Sequence, residues 1–252
     1  METFTDSYPT DAFEKLFEIE NNHFWFQSRN KLICAMLKRY FSAANNFLEI
    51  GCGTGCVLSF LSNQFTNIHF TGGDLHIEGL DFARQRTQDV ELVQMDALKI
   101  DFENKFDVVG AFDILEHIEQ DELVLTQIYQ ALKPKGGLIL TVPQHPFMWS
   151  GSDDYAHHVR RYTAKDLKQK LTAAGFQITK MTSFMTLLFP IMYLSRLRYK
   201  LNLSKGNVPV EFEIPNLLNT GFKFIQNVER ILISSGIKFP FGGSILAVAT
   251  KS

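Results

Sequence analysis

An apolar segment that runs directly into a glycine-rich turn is the feature that most restricts the fold of this chain. Residues 46–50 are typical of a short buried strand, and Gly51 follows at once. Apolar residues then recur at helical spacing from Val57 to Phe65. The order of strand, glycine turn and helix predicts the first βα unit of an α/β sheet.

The same alternation continues along the chain. Further strands are predicted at 68–73, 90–95, 106–112, 138–142, 176–182 and 244–249. Helices are predicted at 79–88 and 120–132, the second ended by the breaker cluster 133–137, and a third runs from a Thr163 cap to Gly175. We therefore predict a Rossmann-like α/β fold with a doubly wound, mostly parallel sheet of seven strands.

The length and composition point to one domain. A chain of 252 residues lies near the upper limit of a single core, and 45% hydrophobic with 21% charged residues is ordinary for a folded globular protein. We expect one domain over 1–252. Residues 1–45 would form a helical cover of two short helices interrupted at the aromatic cluster 23–26, and residues 183–241 a hydrophobic insertion before the last strand.

Charge and cysteine content exclude several classes. A net charge of -2 argues against a nucleic-acid partner, which would need a concentrated excess of Lys and Arg. Three cysteines, two of them flanking the glycine turn, favour a reducing compartment, and the amino terminus lacks a basic segment followed by an apolar run. We therefore expect a cytoplasmic location. The apolar stretch 184–197 contains Pro190 and Arg196 and is shorter than the roughly 20 residues of a membrane span.

The glycine turn predicts a site for a nucleotide-like cofactor. Gly51, Gly53 and Gly55 let the backbone bend sharply and approach a ligand at the start of a helix. A carboxylate at the end of the second strand typically binds ribose hydroxyls, and Asp74 stands 19 positions after Gly55. Cys56 occupies the place of the third glycine in a nicotinamide motif, so an NAD(P)-dependent oxidoreductase is kept only as an alternative.

Taken together, these motifs resemble those of class I S-adenosylmethionine-dependent methyltransferases. They are G-x-G-x-G at 51–55 with Glu49 before it, Asp96-Ala97 after the third strand, and Phe112-Asp113 after the fourth. The segment Asp113-Ile-Leu-Glu-His-Ile118 looks like the L-E-H-[IV] signature of small-molecule methyltransferases, including quinone-biosynthesis O-methyltransferases. The resemblance covers roughly 47–176.

The resemblance implies a function and a set of cofactor contacts. The chain would transfer a methyl group from S-adenosyl-L-methionine, leaving S-adenosyl-L-homocysteine, to a small, hydrophobic or lipid-linked acceptor, most simply at oxygen. A catalytically silent scaffold is the other alternative. The cofactor-binding residues would be Arg29, Glu49, Gly51, Cys52, Gly53, Gly55, Asp74, Leu75, Asp96, Ala97, Phe112 and Asp113. Among them Arg29 would pair with the methionine carboxylate, Asp74 with the ribose, and Asp96 and Ala97 with the adenine. Asp96 has a simpler reading as an ordinary turn residue.

Histidines are the candidates for a general base, which a hydroxyl acceptor would need. They are His117, His145, His157 and His158. We predict no metal site. The alternative is a divalent cation held by Asp113, Glu116, His117 and one further histidine.

Two later segments have open roles. Arg161 and Tyr162, in the loop after the fifth strand, would either line the acceptor pocket or serve the structure, the tyrosine by packing and the arginine by bridging to a carboxylate. Residues 184–200 would cover the pocket, cover the core as an ordinary helix, or make a peripheral contact with a membrane. The oligomeric state is left open.

Overall fold

A computed structural model describes residues 12–200 and 214–252. Seven strands form one sheet: β1 (Asn46–Ile50), β2 (His69–Asp74), β3 (Glu91–Gln94), β4 (Phe106–Phe112), β5 (Leu132–Pro143), β6 (Phe176–Phe184) and β7 (Ser244–Lys251). Their order across the sheet is β3-β2-β1-β4-β5-β7-β6. The neighbours from β3 to β5 are parallel, whereas β7 is antiparallel to β5 and β6. The predicted doubly wound, mostly parallel sheet is confirmed.

Helices flank the sheet. They are α1 (Ala12–Ile19), α2 (Phe24–Tyr40), α3 (Cys56–Ser62), α4 (Ile77–Arg86), α5 (Asp121–Ala131), α6 (Gly151–Tyr155), α7 (Ala164–Ala173), α8 (Phe189–Lys200) and α9 (Asn216–Ser234), with single 3₁₀ turns at Leu115–His117 and Pro146–Met148. The predicted amino-terminal cover contains α1 and α2, and the predicted insertion contains α8 and α9. Residues 1–11 and 201–213 of these segments lie outside the described residues.

Both faces of the sheet are buried, as the near-continuous apolar strands require. Successive side chains of a strand point to opposite faces. Phe47 therefore packs in one core cluster with residues of α2 and α3, whereas its neighbour Leu48 packs in the other with residues of α5 and α7. Strands with no solvated face show no polar alternation, which is why β4 and the second half of β5 are almost entirely apolar.

The first two helices differ from the prediction. The aromatic cluster does not interrupt a helix but begins α2, which is 17 residues long and therefore not short. The break lies just before it, where His23 has an extended backbone and its ring nitrogen accepts a hydrogen bond from the Trp25 amide at 3.2 Å. A side-chain cap of this kind satisfies an amide that has no partner inside the helix.

The fifth strand also begins earlier than predicted. Leu132 already pairs with Phe106, so the supposed breaker cluster is part of β5. The register shifts between Phe106 and Val108, and Lys135 has a φ of 65°. The turn-forming residues therefore make an irregularity within the strand, as in a β-bulge, instead of ending it.

The predicted ends of α7 are confirmed. The Thr163 side chain accepts a hydrogen bond from the Asp166 amide, and Gly175 follows the helix with a φ of +94°. Among the helices that the structure describes, none is long and apolar enough to cross a membrane.

Candidate functional site

The glycine turn lies at the carboxyl end of β1, where ligands bind in open parallel sheets. Gly51, Gly53 and Gly55 all have positive φ angles, of 67°, 50° and 74°. A Cβ atom on Gly51 would lie 2.0 Å from Cδ1 and 3.1 Å from Cβ of Ile114, so a larger residue there would displace the Ile114 side chain. The turn is held to β2 because the amides of Gly51 and Cys52 donate to the Gly73 carbonyl.

Asp74 ends β2 beside this turn. Its carboxylate accepts hydrogen bonds from the Gly53 amide at 2.7 Å and the His76 amide at 2.9 Å. Burial raises the pKa of Asp74, and the two amide donors oppose that shift. The acidic side chain predicted for the ribose is thus fixed next to the glycine turn.

Glu49 and Arg29 are two buried ionisable residues close to the same turn. Glu49 is buried, and its Oε2 atom has no hydrogen-bond partner among the described residues. Burial raises its pKa well above the usual value, while the Arg29 charge acts in the opposite direction. Arg29 is also buried, and its Nε has no partner within the described part of the chain. The site therefore holds one unsatisfied acceptor and one unsatisfied donor.

Phe112 ends β4, and Asp113 follows it directly. Asp113, with a φ of 55°, accepts hydrogen bonds from Arg29 Nη1 at 2.6 Å and Thr141 Oγ1 at 2.9 Å. It therefore joins β4 to α2, and the guanidinium that was assigned to the cofactor carboxylate already has one protein partner. Phe112 is buried in the core cluster of Phe47. Its predicted cofactor contact stays a prediction.

The adenine side of the predicted site lies after β3. The Met95 amide donates to the Asp74 carbonyl at 2.9 Å, and Asp96 Oδ1 accepts from the Leu98 amide at 2.8 Å. This contact agrees with the simpler interpretation of Asp96 as an ordinary turn residue. Ala97 is buried, and the Leu75 carbonyl accepts a hydrogen bond from Gln94. Contacts of Leu75, Asp96 and Ala97 with a cofactor stay predictions.

Cys52 and Cys56 are buried, and all three cysteines are free. Burial raises the pKa of Cys52 well above its usual value and that of Cys56 to about 11. Both thiols are therefore protonated at neutral pH and pack as small apolar groups.

A clamp that the sequence analysis missed holds α1 over the turn. Buried Glu20 accepts hydrogen bonds from Thr54 Oγ1 at 2.5 Å and from Arg86 Nη1 at 2.6 Å. Phe13 of α1 packs 5.7 Å from the His76 ring, measured between centroids. The local sequence around Glu20 does not indicate this role, because its two partners are 34 and 66 positions away.

The candidate histidines fall into three places. The rings of His117 and His158 meet edge to face with centroids 4.7 Å apart. His145 lies in an aromatic cluster, 4.9 Å from the Phe147 ring and 4.0 Å from that of Phe241. His157 is exposed with a φ of 53°. Only His117 and His158 are brought together, immediately after β4.

His117 and His158 adjoin Glu116 in a set that could hold a metal ion. One ligand atom from each of the three lies within 4.8 Å of the others. Burial raises the pKa of Glu116 well above its usual value and lowers that of His117 to about 3. Asp113, predicted as a further ligand in the metal alternative, is not part of this set. The absence of a metal site stays a prediction.

Asp153 is the second functional candidate that the sequence analysis missed. It is fully buried, and its carboxylate contacts His158 Nδ1 at 2.9 Å, Arg161 Nε at 2.7 Å and Arg196 Nη1 at 3.4 Å. Burial alone would raise its pKa, but the hydrogen bond with His158 and the two arginine charges lower it overall. The Ser150 capping box around Asp153 was the available local signal.

The predicted structural role of Arg161 and Tyr162 is confirmed. Arg161 bridges to Asp153, and Tyr162 is fully buried with its hydroxyl donating to Asp121 Oδ2 at 2.6 Å. The Val159 amide donates to the Glu116 carbonyl at 2.7 Å. These contacts seat the 150–162 loop against the carboxyl end of β4.

A family model described as a methyltransferase domain matches residues 22–181. The chain belongs to this family, and the predicted resemblance to class I S-adenosylmethionine-dependent methyltransferases is confirmed, with S-adenosylmethionine as the cofactor of the class. The predicted nicotinamide alternative loses its support.

Individual relatives are distant. The chain is 32% identical to phosphoethanolamine N-methyltransferase 2 of Caenorhabditis elegans over 53% of its own length and 32% of that protein's. It is 34% identical to a fatty-acid O-methyltransferase of Mycolicibacterium smegmatis over 37% of its length and 35% of that protein's. The match thus spans about a third of these curated relatives.

A solved structure shows the shared fold. Phosphoethanolamine N-methyltransferase 2 of Haemonchus contortus, in complex with S-adenosyl-L-methionine, superposes with a TM-score of 0.58 at 20% identity, covering 88% of this chain and 52% of that one. At this identity the similarity concerns the fold, and one fold serves many acceptors.

Proposed function

We propose that this chain binds S-adenosylmethionine over the glycine turn and transfers its methyl group to a hydroxyl of a small, hydrophobic or lipid-linked acceptor. The observation that carries the proposal is the contact between Asp74 and the Gly53 amide, which sets a buried carboxylate against a turn whose glycines admit close approach. Asp74 would hold the ribose hydroxyls through the acceptor capacity that its two amide bonds leave.

The unsatisfied groups beneath the turn fit an amino acid. Glu49 offers an acceptor oxygen and Arg29 a donor nitrogen, both buried and both without a partner among the described residues. The ammonium and carboxylate of a methionine moiety supply the opposite pair. Because an unpaired buried polar group is costly, satisfying both would favour binding of such a ligand.

The cofactor supplies a methyl group already activated by the sulfonium, so the chain has to align the acceptor and exclude water. The clamp between Glu20, Thr54 and Arg86 holds α1 over the turn and would keep water away. Little covalent chemistry is asked of the protein.

His158 is the candidate base that the contacts favour. Asp153 binds its Nδ1 and thereby leaves Nε2 as the proton acceptor, the arrangement of a base oriented by a carboxylate. His158 also adjoins Glu116 and His117, which follow β4, the neighbour of β1 in the sheet. His117 is less suited, since burial lowers its pKa to about 3.

The aromatic cluster of His145, Phe147, Phe189 and Phe241 supports an apolar acceptor. It stands at the same edge of the sheet as the glycine turn, because β5 and β6 end there and β7 begins there. Such side chains give the dry walls common in small-molecule sites.

Calorimetry with S-adenosylmethionine and S-adenosylhomocysteine, followed by mass spectrometry of a panel of hydroxyl and amine acceptors, tests the proposal. We expect binding that Asp74→Ala weakens at least about tenfold, as loss of charged hydrogen bonds would produce. Binding without methylation of any acceptor would favour the silent scaffold, and methylation confined to amines would exclude O-methylation.

A further inference from the structure

Helix α8 turns most of its apolar side chains away from the protein. Of its side chains from Phe189 to Arg198, Phe189 and Met192 are half-buried, Arg196 is buried and the others are exposed. Arg196 even points inward to the buried Asp153 carboxylate. This is the reverse of an ordinary amphipathic surface helix, whose apolar stripe faces the core.

The outward side chains form one exposed apolar surface with two neighbouring loops. We define the α8 surface as Phe147, Leu187, Ile191, Tyr193, Leu194, Leu197 and Phe241, which are between 38% and 58% exposed. Tyr193 lies 6.3 Å from the ring of Phe147, and Phe147 lies 6.1 Å from that of Phe241, so the loops continue the helix surface. Contiguous exposed apolar groups of this kind mark an interaction site.

The charge of the chain is strongly uneven. Residues 167–252 contain eleven Lys or Arg and three Asp or Glu, whereas residues 1–166 contain fourteen and twenty-four. Between Asp166 and Glu211, a stretch that includes all of α8, no acidic residue occurs. The helical part of the α8 surface therefore lies in a stretch without acidic residues, and the exposed Arg198 adds a positive charge on the same helix.

From this combination we infer that the α8 surface docks on an anionic phospholipid bilayer. Apolar side chains enter the boundary between headgroups and acyl chains, while basic residues attract anionic lipid. A second copy of the chain fits less well, because a symmetric contact would oppose two basic surfaces. The inference extends the proposed function and does not depend on methyl transfer.

Docking in this orientation would turn the site toward the lipid. His145 contacts Phe147 and Phe241 of the α8 surface and follows directly after β5, at the edge of the sheet that carries the glycine turn. A bilayer-borne molecule would thus reach the acceptor side of the site without crossing bulk water.

Co-sedimentation with vesicles tests the inference. We expect the full chain to bind vesicles of phosphatidylcholine with about a third phosphatidylglycerol, and Leu194→Glu to lower the partition coefficient about tenfold. Leu123→Glu is the matched control, because it adds the same charge at an exposed leucine on α5, and it should bind like the wild type. Circular dichroism checks that both variants are folded.

Two results would overturn the inference. One is equal binding by Leu194→Glu and Leu123→Glu, and the other is no binding of the wild type to anionic vesicles. Light scattering distinguishes the second-copy alternative: a dimer that Leu194→Glu dissociates, in a protein that ignores vesicles, would assign the α8 surface to self-association. Retained binding to vesicles of phosphatidylcholine alone would contradict the role of the basic residues.

Discussion

The Asp153 carboxylate lies 2.9 Å from Nδ1 of His158, inside a cluster that also contains Arg161 and Arg196. The imidazole is thereby fixed to a fully buried group. Arg196 belongs to α8, so the same carboxylate also ties the proposed membrane-facing helix to the proposed base.

If His158 is the base, His158→Ala will lower kcat for a hydroxyl acceptor about a hundredfold or more, the usual contribution of such a group. Asp153→Asn will also lower kcat, because the amide no longer holds the tautomer whose Nε2 can accept a proton. The dissociation constant for S-adenosylmethionine should not change. His157→Ala, at the exposed neighbouring position, is the control, and an equal loss of kcat there would remove the assignment.

Cofactor binding should be linked to loss of a proton from Glu49. Burial raises the pKa of Glu49 well above its usual value, whereas pairing with an ammonium requires the carboxylate. The affinity for S-adenosylmethionine should therefore rise with pH through the raised pKa. Calorimetry in buffers of different ionisation enthalpy measures the released proton. Glu49→Gln should bind more weakly and release none, and unchanged release in this variant would place the titration elsewhere.

Gly51→Ala should destabilise the chain by about 1–3 kcal/mol, because the new Cβ would meet Ile114 in a backbone of positive φ. Gly221→Ala is the control: this glycine lies in α9 with no atom within 4 Å of its added Cβ. It should gain up to about 1 kcal/mol from better helix propensity. Urea denaturation compares the two, and equal stability of both variants would contradict the steric account of the turn.

Asp121 should make stability depend on acid pH. It accepts hydrogen bonds from Tyr162 and Lys170 and contacts Arg160, and although burial opposes them, these partners lower its pKa below the usual 3.8. A depressed folded-state pKa contributes stability above 3.8 that is lost as the pH falls through the folded value. In Asp121→Asn, the urea concentration at the unfolding midpoint should therefore depend less on pH between pH 5 and about pH 2 than in the wild type. Asp101→Asn, an exposed carboxylate, should leave that slope unchanged.

Chelation should leave methyl transfer intact if no metal is used. Glu116, His117 and His158 come together, but the raised pKa of Glu116 favours its neutral form in the absence of a cation. Turnover after EDTA treatment should equal that of the untreated protein. Loss of activity that Mg²⁺ or Zn²⁺ restores would show the divalent-cation alternative to be correct.

The sheet and the glycine turn were predictable because their signals are local. Strand and helix periodicities, the three glycines and the carboxylate at the end of β2 each lie within one βα unit, and the structure places them as expected. The predictions were wrong where the local structure depends on a partner that is distant in the sequence. Residues 133–137 look like a break in sequence, yet Phe106 pairs with Leu132 and keeps them in the sheet.

The sequence alone thus determined the fold class, the cofactor class and the position of the turn, since these follow from patterns of a few consecutive residues. Only the tertiary structure decided that Arg29 pairs with Asp113, that Glu20 clamps the turn and that Asp153 contacts His158, one of the four candidate histidines. It also decided which side of α8 faces outward. The ion pair of Arg29 and Asp113 joins residues 84 positions apart, and a local sequence pattern carries no information about so distant a contact.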